Sequence, residues 1–546
     1  MEFLVFIARV FLPFFSLIIV LWCFLSMRKN QRGKRTLIIL KNIITNEEIA
    51  IKYWENSIGR DKNSDIILND PTVSREHAVL FRRKNGWIIS DTGSKVGTTI
   101  NGEKVVGQAP IYIGDTVSIG SSSFKLIKAS ESEDKKILSE RVNIRPIRSR
   151  SILFFVSIFH IVIFLESMLK KGTFSVESLF PIVSIFLLTW IFYFISSVIF
   201  RRVTFELESI GLLLSGIGIL TIGNYSIKEV YMQFISLVIG VTLYSFLIWF
   251  IENVDMVMKF RIYISIFAVL LFMANLVLGK EVNGSRNWIR LGGLSFQPSE
   301  FIKIAYVFVG ASTLEELQKT KNLTWFIVFS AMCIGSLFLM KDFGTACVFF
   351  IAFLMISFMR SGSLRTVVLS CTAAVLGAFM ILTFKPYIKD RFSIWGHVWE
   401  HPQDAGYQQT RVLSYISSGG LIGVGSGQGK LNSIFAALSD LMFGVVCEEL
   451  GIIIALLIAL SIAGLAFFAK GQSNKSRSTF YSIASCSAAA MLVFQSGLHI
   501  FGSTDILPMT GVTLPFVSLG GSSLISVWGL LAFIKASDER TYSLKR

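Results

Sequence analysis

The sequence predicts an all-α polytopic membrane protein with an all-β sandwich inserted near its N-terminus. Three observations lead there. More than half of the 546 residues are apolar and 48 are Phe, a composition that suits lipid better than water. Apolar runs of roughly 17 to 25 residues with few charges recur from Ser151 to Ile534, and that length crosses a hydrocarbon core. Between Thr36 and Lys128 hydropathy falls, and short β-rich runs alternate with turn residues.

Taken in order, about 13 transmembrane helices are expected, over 3–26, 151–170, 178–200, 209–223, 229–251, 261–279, 299–314, 324–340, 343–360, 365–384, 441–469, 479–502 and 512–534. The first begins with Glu2, lacks a small-residue cleavage site and carries its basic cluster after the apolar run. Residues 1–30 therefore read as an uncleaved anchor with its N-terminus outside. Residues 36–128 form the sandwich, with runs at Leu37 to Leu40, Ala78 to Phe81, Trp87 to Ile89 and Thr116 to Ile119. Residues 129–150, with Glu131-Ser132-Glu133-Asp134-Lys135-Lys136 and then basic residues, read as a polar linker. A hairpin of two spans over 151–202 precedes the remaining membrane domain, 203–546.

The formal net charge of +16 would suit nucleic acid if it formed one patch. Instead Arg28-Lys29, Arg145 to Arg150, Arg201-Arg202, Lys259, Arg261, Arg360, Arg365 and Lys470 to Arg477 fall at span ends on one side when alternate spans are counted. Basic loops mark the cytoplasmic face, so the charge sets orientation and no nucleic-acid partner is expected. The sandwich is then cytoplasmic, while Lys280 to Pro298, Lys341-Asp342, Lys385 to Asp440 and Gly502 to Gly511 lie outside. Six cysteines (Cys23, Cys333, Cys347, Cys371, Cys447, Cys486) are scattered without paired spacing, which implies neither disulfides nor a zinc site.

Within the sandwich, Ile58-Gly59-Arg60, Ser74-Arg75-Glu76-His77 and Gly97-Thr98-Thr99-Ile100-Asn101-Gly102 follow one another. A guanidinium fork and a hydroxyl on adjacent loops suit a phosphate, with nearly two negative charges and several acceptor oxygens. The ordinary alternative is that Arg60 and Arg75 are solvated surface charges. Together the three motifs resemble a forkhead-associated (FHA) domain, a phosphothreonine-binding module. The resemblance implies that Arg60 and Ser74 hold the phosphate, that Arg75 assists and that His77 braces the loop. It also implies a partner phosphorylated by a Ser/Thr kinase system. Lys95-Val96 stand where the family commonly has a Ser/Thr-Asn pair.

In the membrane domain the unusual residues gather in the outer loops. A Gly-rich loop, Asn283-Gly284-Ser285-Arg286-Asn287-Trp288-Ile289-Arg290-Leu291-Gly292-Gly293, runs into Gln297-Pro298-Ser299-Glu300-Phe301-Ile302-Lys303. Ionised side chains within a span are costly, which makes Glu300 and Lys303 candidate site residues. Three residues apart, they share a helical face. Helix-dipole placement of Glu300 and a snorkelling Lys303 is the bland alternative. Farther on come Lys341-Asp342-Phe343-Gly344, a long loop with Gly406-Tyr407-Gln408-Gln409 and Arg411, the run Gly419-Gly420 to Gly429-Lys430, then Ser439-Asp440 and Glu448-Glu449. Leu507-Pro508-Met509-Thr510-Gly511 to Ser522-Ser523 closes the set.

These segments resemble the shape, elongation, division and sporulation (SEDS) family, which includes RodA, FtsW and SpoVE. The resemblance runs from about Val203 to Ile534 and implies a ten-helix core. It also implies a peptidoglycan glycosyltransferase that polymerises lipid II outside the membrane beside a class B penicillin-binding protein transpeptidase. Glycosyl transfer from a lipid diphosphate needs a base for the acceptor hydroxyl and cationic groups for the leaving diphosphate. Asp440 occupies the position of the family's catalytic aspartate. A helix N-cap is the alternative use of an Asp before an apolar run. Arg286 and Arg290 are candidates for the diphosphate, although lipid headgroups would use the same residues. Asp342 and Arg411 complete the substrate-binding candidates. A divalent ion, Mg or Mn, could assist diphosphate departure, but no ligand cluster calls for one. A lipid-linked precursor flippase and a catalytically silent scaffold remain alternative functions.

One rival motif, His397-Val398-Trp399-Glu400-His401, has metalloprotease spacing. Gly396 and Pro402 leave too little helix to put both histidines on one face.

Overall fold

The computed structural model describes residues 2–29, 37–51, 55–62, 64–83, 86–128, 149–171, 175–200, 202, 204–282, 285–291, 294–313, 320–384, 394–473, 476, 478–538 and 541. Most of the linker expected at 129–150, and the glycine pairs Asn283-Gly284 and Gly292-Gly293, lie outside those residues.

Two sheets form the sandwich. Its strands are β1 (Ile38–Asn42), β2 (Glu48–Ile51), β3 (Glu55–Gly59), β4 (Ile66–Ile67), β5 (Ala78–Arg83), β6 (Gly86–Asp91), β7 (Thr98–Ile100), β8 (Glu103–Lys104), β9 (Gln108–Ile111), β10 (Thr116–Ile119) and β11 (Ser122–Lys128). One sheet has the order β2-β1-β11-β10-β7-β8 and the other β4-β3-β5-β6-β9. Alternate residues point inward, as a half-buried strand requires. Leu40, Val117, Phe124 and Leu126 from the first sheet meet Ile58, Leu80 and Ile89 from the second.

The bundle consists of α1 (Glu2–Lys29), α2 (Ser149–Lys171), α3 (Phe180–Phe194), α4 (Glu206–Gly223), α5 (Ile227–Phe250), α6 (Val254–Leu278), α7 (Pro298–Thr313), α8 (Thr320–Leu339), α9 (Phe343–Ser361), α10 (Leu364–Phe384), α11 (Tyr407–Gly419), α12 (Met442–Leu450), α13 (Ile452–Ser473), α14 (Thr479–Ser503) and α15 (Gly521–Ala536). Among the described residues nine helices are long and apolar enough to cross a membrane, and α8, α10 and α15 contain shorter apolar windows. α4 is buried along almost its whole length, so it is a core helix rather than a lipid-facing one. α6 shows lipid a broad apolar face through Ile262, Ile266, Leu270 and Val277.

Two predicted spans need correction. The run at 441–469 is two helices, because Gly451 at φ +88° breaks it where a Cβ would lie 2.3 Å from Leu421 O. The run at 512–534 begins as a helix only at Gly521, because residues 504–520 fold back as a loop. Apolar composition had hidden both interruptions.

Polar contacts tie the first helices to the core. Ser26 Oγ donates to Glu206 Oε1 at 2.8 Å, joining α1 to α4, and Arg9 pairs with Glu166 of α2 at 2.5 Å. Near the other terminus, Lys535 Nζ lies 2.9 Å from Glu208 Oε2, whose second oxygen accepts from Tyr244 at 2.7 Å. In hydrocarbon such charges persist only when paired in this way.

Candidate active site

Asp440 ends a single helical turn, Ala437–Asp440, entered through Ala436 at a left-handed φ of +58°. It does not cap the helix that follows: the N-cap of α12 is Leu441, and no side chain bonds there. The carboxylate is mostly enclosed, with the Gly511 backbone beside it. Burial raises its pKa to about 6, partly opposed by the Ser439 hydroxyl. A carboxylate poised close to neutrality, with no ion-pair partner among the described residues, suits proton transfer.

The loop 504–520 holds this turn from one side. Leu519 N donates to Leu438 O at 2.8 Å, and Ser518 Oγ donates to Ser439 O at 2.6 Å. From α14, His499 ties the start of α12, just after the turn, to the loop 504–520. Its Nε2 accepts the Phe443 N–H at 3.2 Å while Nδ1 faces Val512 O at 2.8 Å, which places the proton on Nδ1.

A buried polar chain starts at the predicted pair. Lys303 Nζ reaches Glu300 Oε1 and Gln495 Oε1, both at 2.8 Å. Gln495 Nε2 donates to Thr513 O at 3.0 Å, and the Thr513 hydroxyl meets Ser523 at 2.6 Å. The second oxygen of Glu300 is buried and has no hydrogen-bond partner among the described residues.

Between α6 and α7 the chain forms a hairpin of β12 (Lys280–Val282), β13 (Ser285–Leu291) and β14 (Leu294–Phe296). Residues on β13 alternate: Arg286 and Arg290 are exposed, and Asn287 is buried. Asn287 Nδ2 donates to Asp342 Oδ2 at 2.7 Å, and Gln297 Nε2 reaches the same oxygen at 3.1 Å. Asp342 Oδ1 caps α9 through Thr345 N at 3.2 Å, and Gln297 N donates to Ser522 Oγ at 3.1 Å. Asp342 therefore fixes the hairpin to the bundle. Asp342→Ala removes a cap and two further bonds, and should lower stability by about 1 to 2 kcal/mol in a thermal melt.

The glycine-rich run is shaped by α12. Glu448 accepts from Lys430 N at 2.8 Å and Leu431 N at 3.0 Å; Glu449 accepts from Gly427 N at 3.0 Å and from the Tyr225 hydroxyl. Arg411, on α11, lies over the Tyr407 ring at 5.2 Å.

At the sandwich, three loops meet. Arg60 N donates to Ser74 O and Asp61 N to Arg75 O, each at 3.0 Å. That approach requires Gly59, where a Cβ would sit 2.0 Å from Arg75 O. Ser74 Oγ accepts from Lys95 N at 3.1 Å. Buried His77 accepts from Ser74 N at 3.0 Å through Nδ1 and turns Nε2 to Gly97 O at 3.2 Å, so it braces the loops.

The sequence profile of the FtsW/RodA/SpoVE cell cycle proteins matches residues 203–542. The chain belongs to this family. An FHA-domain profile matches residues 56–120, within the sandwich. Among the family's members, the probable peptidoglycan glycosyltransferase FtsW of Wigglesworthia glossinidia brevipalpis is 30% identical over 298 residues, 53% of this chain and 77% of its own. Stage V sporulation protein E of Bacillus subtilis is 32% identical over 292 residues, 50% of this chain and 78% of its own. The solved structure of a peptidoglycan synthase complex that coordinates polymerization and crosslinking is similar at a TM-score of 0.52 and 25% identity. That similarity covers 62% of this chain and 98% of the matched one.

In this FtsW/RodA/SpoVE chain the residues 513–523 join what the sequence leaves separate. Leu438 and Ser439 beside Asp440, Gln495 beside the Glu300–Lys303 pair and Gln297 beside Asp342 all bond to that segment. Among the described residues neither Arg290 nor Arg411 makes a hydrogen bond or ion pair to it, and Arg286 pairs with Glu281 at 3.8 Å on the exposed face. Sequence reasoning missed Asn287, Gln297, Gln495 and His499. The last two carry a readable signal, since polar side chains within an apolar span need a buried partner. Among the described residues no three His, Cys, Asp or Glu side chains gather into a group that could hold a metal ion. Residues Val398–Glu400 form one 3-10 turn, and His397 pairs with Glu400 at 2.9 Å on the surface, which gives no metalloprotease helix.

Proposed function

We propose that this chain is a peptidoglycan glycosyltransferase that polymerises lipid II at the outer face of the cytoplasmic membrane, with Asp440 as general base. The supporting observation is a partly exposed carboxylate near neutrality, free of any capping role and on a turn held by the loop 504–520. Asp440 takes the proton from the acceptor sugar hydroxyl as that oxygen bonds to the anomeric carbon of the donor. The bond from that carbon to the diphosphate breaks, and the lipid diphosphate leaves with the electron pair. Exposed Arg286 and Arg290 can meet that diphosphate at the rim, and Arg411 on α11 is a further cationic candidate. Lys303 shares its donors between Glu300 and Gln495, so the buried pair shapes the cavity wall and sets its charge.

The orientation follows from charge. Arg360, Lys259 and Lys470 lie at the bundle end that meets the sandwich, and such a basic rim supports a cytoplasmic sandwich with Asp440 on the outer side. A class B penicillin-binding protein that crosslinks the product is the expected partner. The sandwich binds a phosphothreonine protein from a kinase system through Arg60, Ser74 and Arg75. Arg60→Ala should weaken a phosphothreonine peptide at least about tenfold in a calorimetric titration, the loss of one charge-assisted contact. Equal affinity of wild type for phosphorylated and plain peptides would remove the phosphothreonine reading.

Polymerisation of fluorescent lipid II by the purified protein, with and without the transpeptidase, tests the main reading. A flippase moves the lipid in vesicles but makes no polymer. A scaffold does neither.

A further inference from the structure

Helix α14 meets the two halves of the molecule at its two ends. Gln495 and His499, in its last turns, hold Lys303 and the residue chain behind Asp440. Thr479 begins it, about 30 Å away at 1.5 Å per residue. Its own N-cap, Ser478, makes no side-chain cap bond, and Ser478 Oγ is buried without a hydrogen-bond partner among the described residues. The Thr479 N–H donates instead to Glu55 Oε2 at 2.7 Å, a carboxylate supplied by the sandwich. A negative group at a helix N-terminus satisfies an orphan donor and opposes the helix dipole.

Two further contacts lie on the same face. Arg83 Nε is 4.0 Å from Asp255 Oδ1 in the first turn of α6. Arg360, in the last turn of α9, is attracted by both Glu76 and Glu55. The strands that carry these groups also carry the phosphate loops. β3 begins at Glu55 and leads directly into Arg60; β5 follows Ser74-Arg75-Glu76-His77 and ends at Arg83. The two are paired antiparallel, Ile58 opposite Ala78 and Glu55 opposite Phe81. One rigid ladder thus joins the phosphate loops to the docking face over about 17 Å.

We propose that Glu55 is an interdomain cap through which occupancy of the sandwich's phosphate site reaches the polymerising end of α14. The coupling rests on the phosphothreonine reading above; the cap itself does not. A phosphate at Arg60, Ser74 and Arg75 adds nearly two negative charges one residue from Glu76. That charge adds to the attraction between Arg360 and the sandwich, beside the Arg83–Asp255 and Glu55–Thr479 contacts that join sandwich to bundle. Glu55 touches neither phosphate nor sugar; it is a positioning residue.

Hydrogen exchange on the full-length chain in detergent reads the cap directly. In Glu55→Ala the amides of 479–482 should exchange about fivefold faster, the factor that loss of a helix cap corresponds to. Adding Ser478→Asp, which gives α14 a cap of its own, should restore slow exchange and, in the polymerisation assay, turnover. A degenerate phosphothreonine peptide pool should slow exchange at 479–482 in wild type, its unphosphorylated twin should not, and Glu55→Ala should show no response. Unchanged exchange in Glu55→Ala, or no rescue by Ser478→Asp, overturns the cap. Binding of the phosphorylated pool without any change at 479–482 overturns the coupling. If no pool binds, the phosphothreonine reading and the coupling fall together while the exchange result still decides the cap; if wild type makes no polymer, the glycosyltransferase reading falls and exchange decides as before.

Discussion

Asp440→Asn is expected to leave a folded protein whose lipid II polymerisation is lower by about 10² to 10⁴, the range that a positioned general base contributes. Amide and carboxylate are nearly the same size, so the enclosure by Gly511 and the loop 504–520 survives the change. The pH profile gives an independent check. The base must be ionised, and its pKa stands at about 6, so wild-type turnover should rise about tenfold per pH unit below that value and level off above it. Stability runs in the opposite sense. Folding raises this group's pKa, which favours its protonated form, so its ionisation erodes stability as pH climbs from about 4 through about 6. At neutral pH the Asn variant should therefore melt no lower than wild type. An active Asn variant, or one that fails only by unfolding, would defeat the assignment.

Lys303→Met should be strongly destabilising. It strands Glu300, which is 5% exposed and already has one oxygen without a partner among the described residues. Breaking a buried pair by removing one member costs about 3 to 5 kcal/mol, because the remaining charge stays desolvated. Replacing both, Glu300→Gln with Lys303→Met, removes the charge and should return most of the melting temperature. Comparing the three proteins by thermal melt in detergent separates this from simple loss of packing: a cavity effect would persist in the double variant. Gln495 should feel the same change, since Lys303 is its link to α7.

The bundle was legible because hydrocarbon imposes one simple rule on every span: a long apolar run closed on its own hydrogen bonds. Strands β1, β5, β6 and β10 were legible through short β-branched runs, whereas β2, β3 and β11 mix charged or small residues with apolar ones and gave no clear alternation. The break at Gly451 escaped because its cause is Leu421 O, thirty residues away in sequence. In the site, Asp440 and the Glu300–Lys303 pair stood out as charges beside or within apolar runs. Asn287, Gln297 and His499 did not, because their roles come from partners on other elements, Asp342 and Phe443 among them. Arg286 and Arg290 attracted notice by charge alone, and the strand turns both outward while the neutral Asn287 faces the core.

The segment 513–523 leaves the ribosome after every span from α1 to α14. Everything that positions Asp440 from that side, including Ser518 and Leu519, arrives only after the earlier spans have been inserted. The newborn protein thus carries an unfinished reaction centre until that segment and α15 have followed, and a chain cut between α14 and residue 513 holds its earlier spans without the contacts of Ser518 and Leu519.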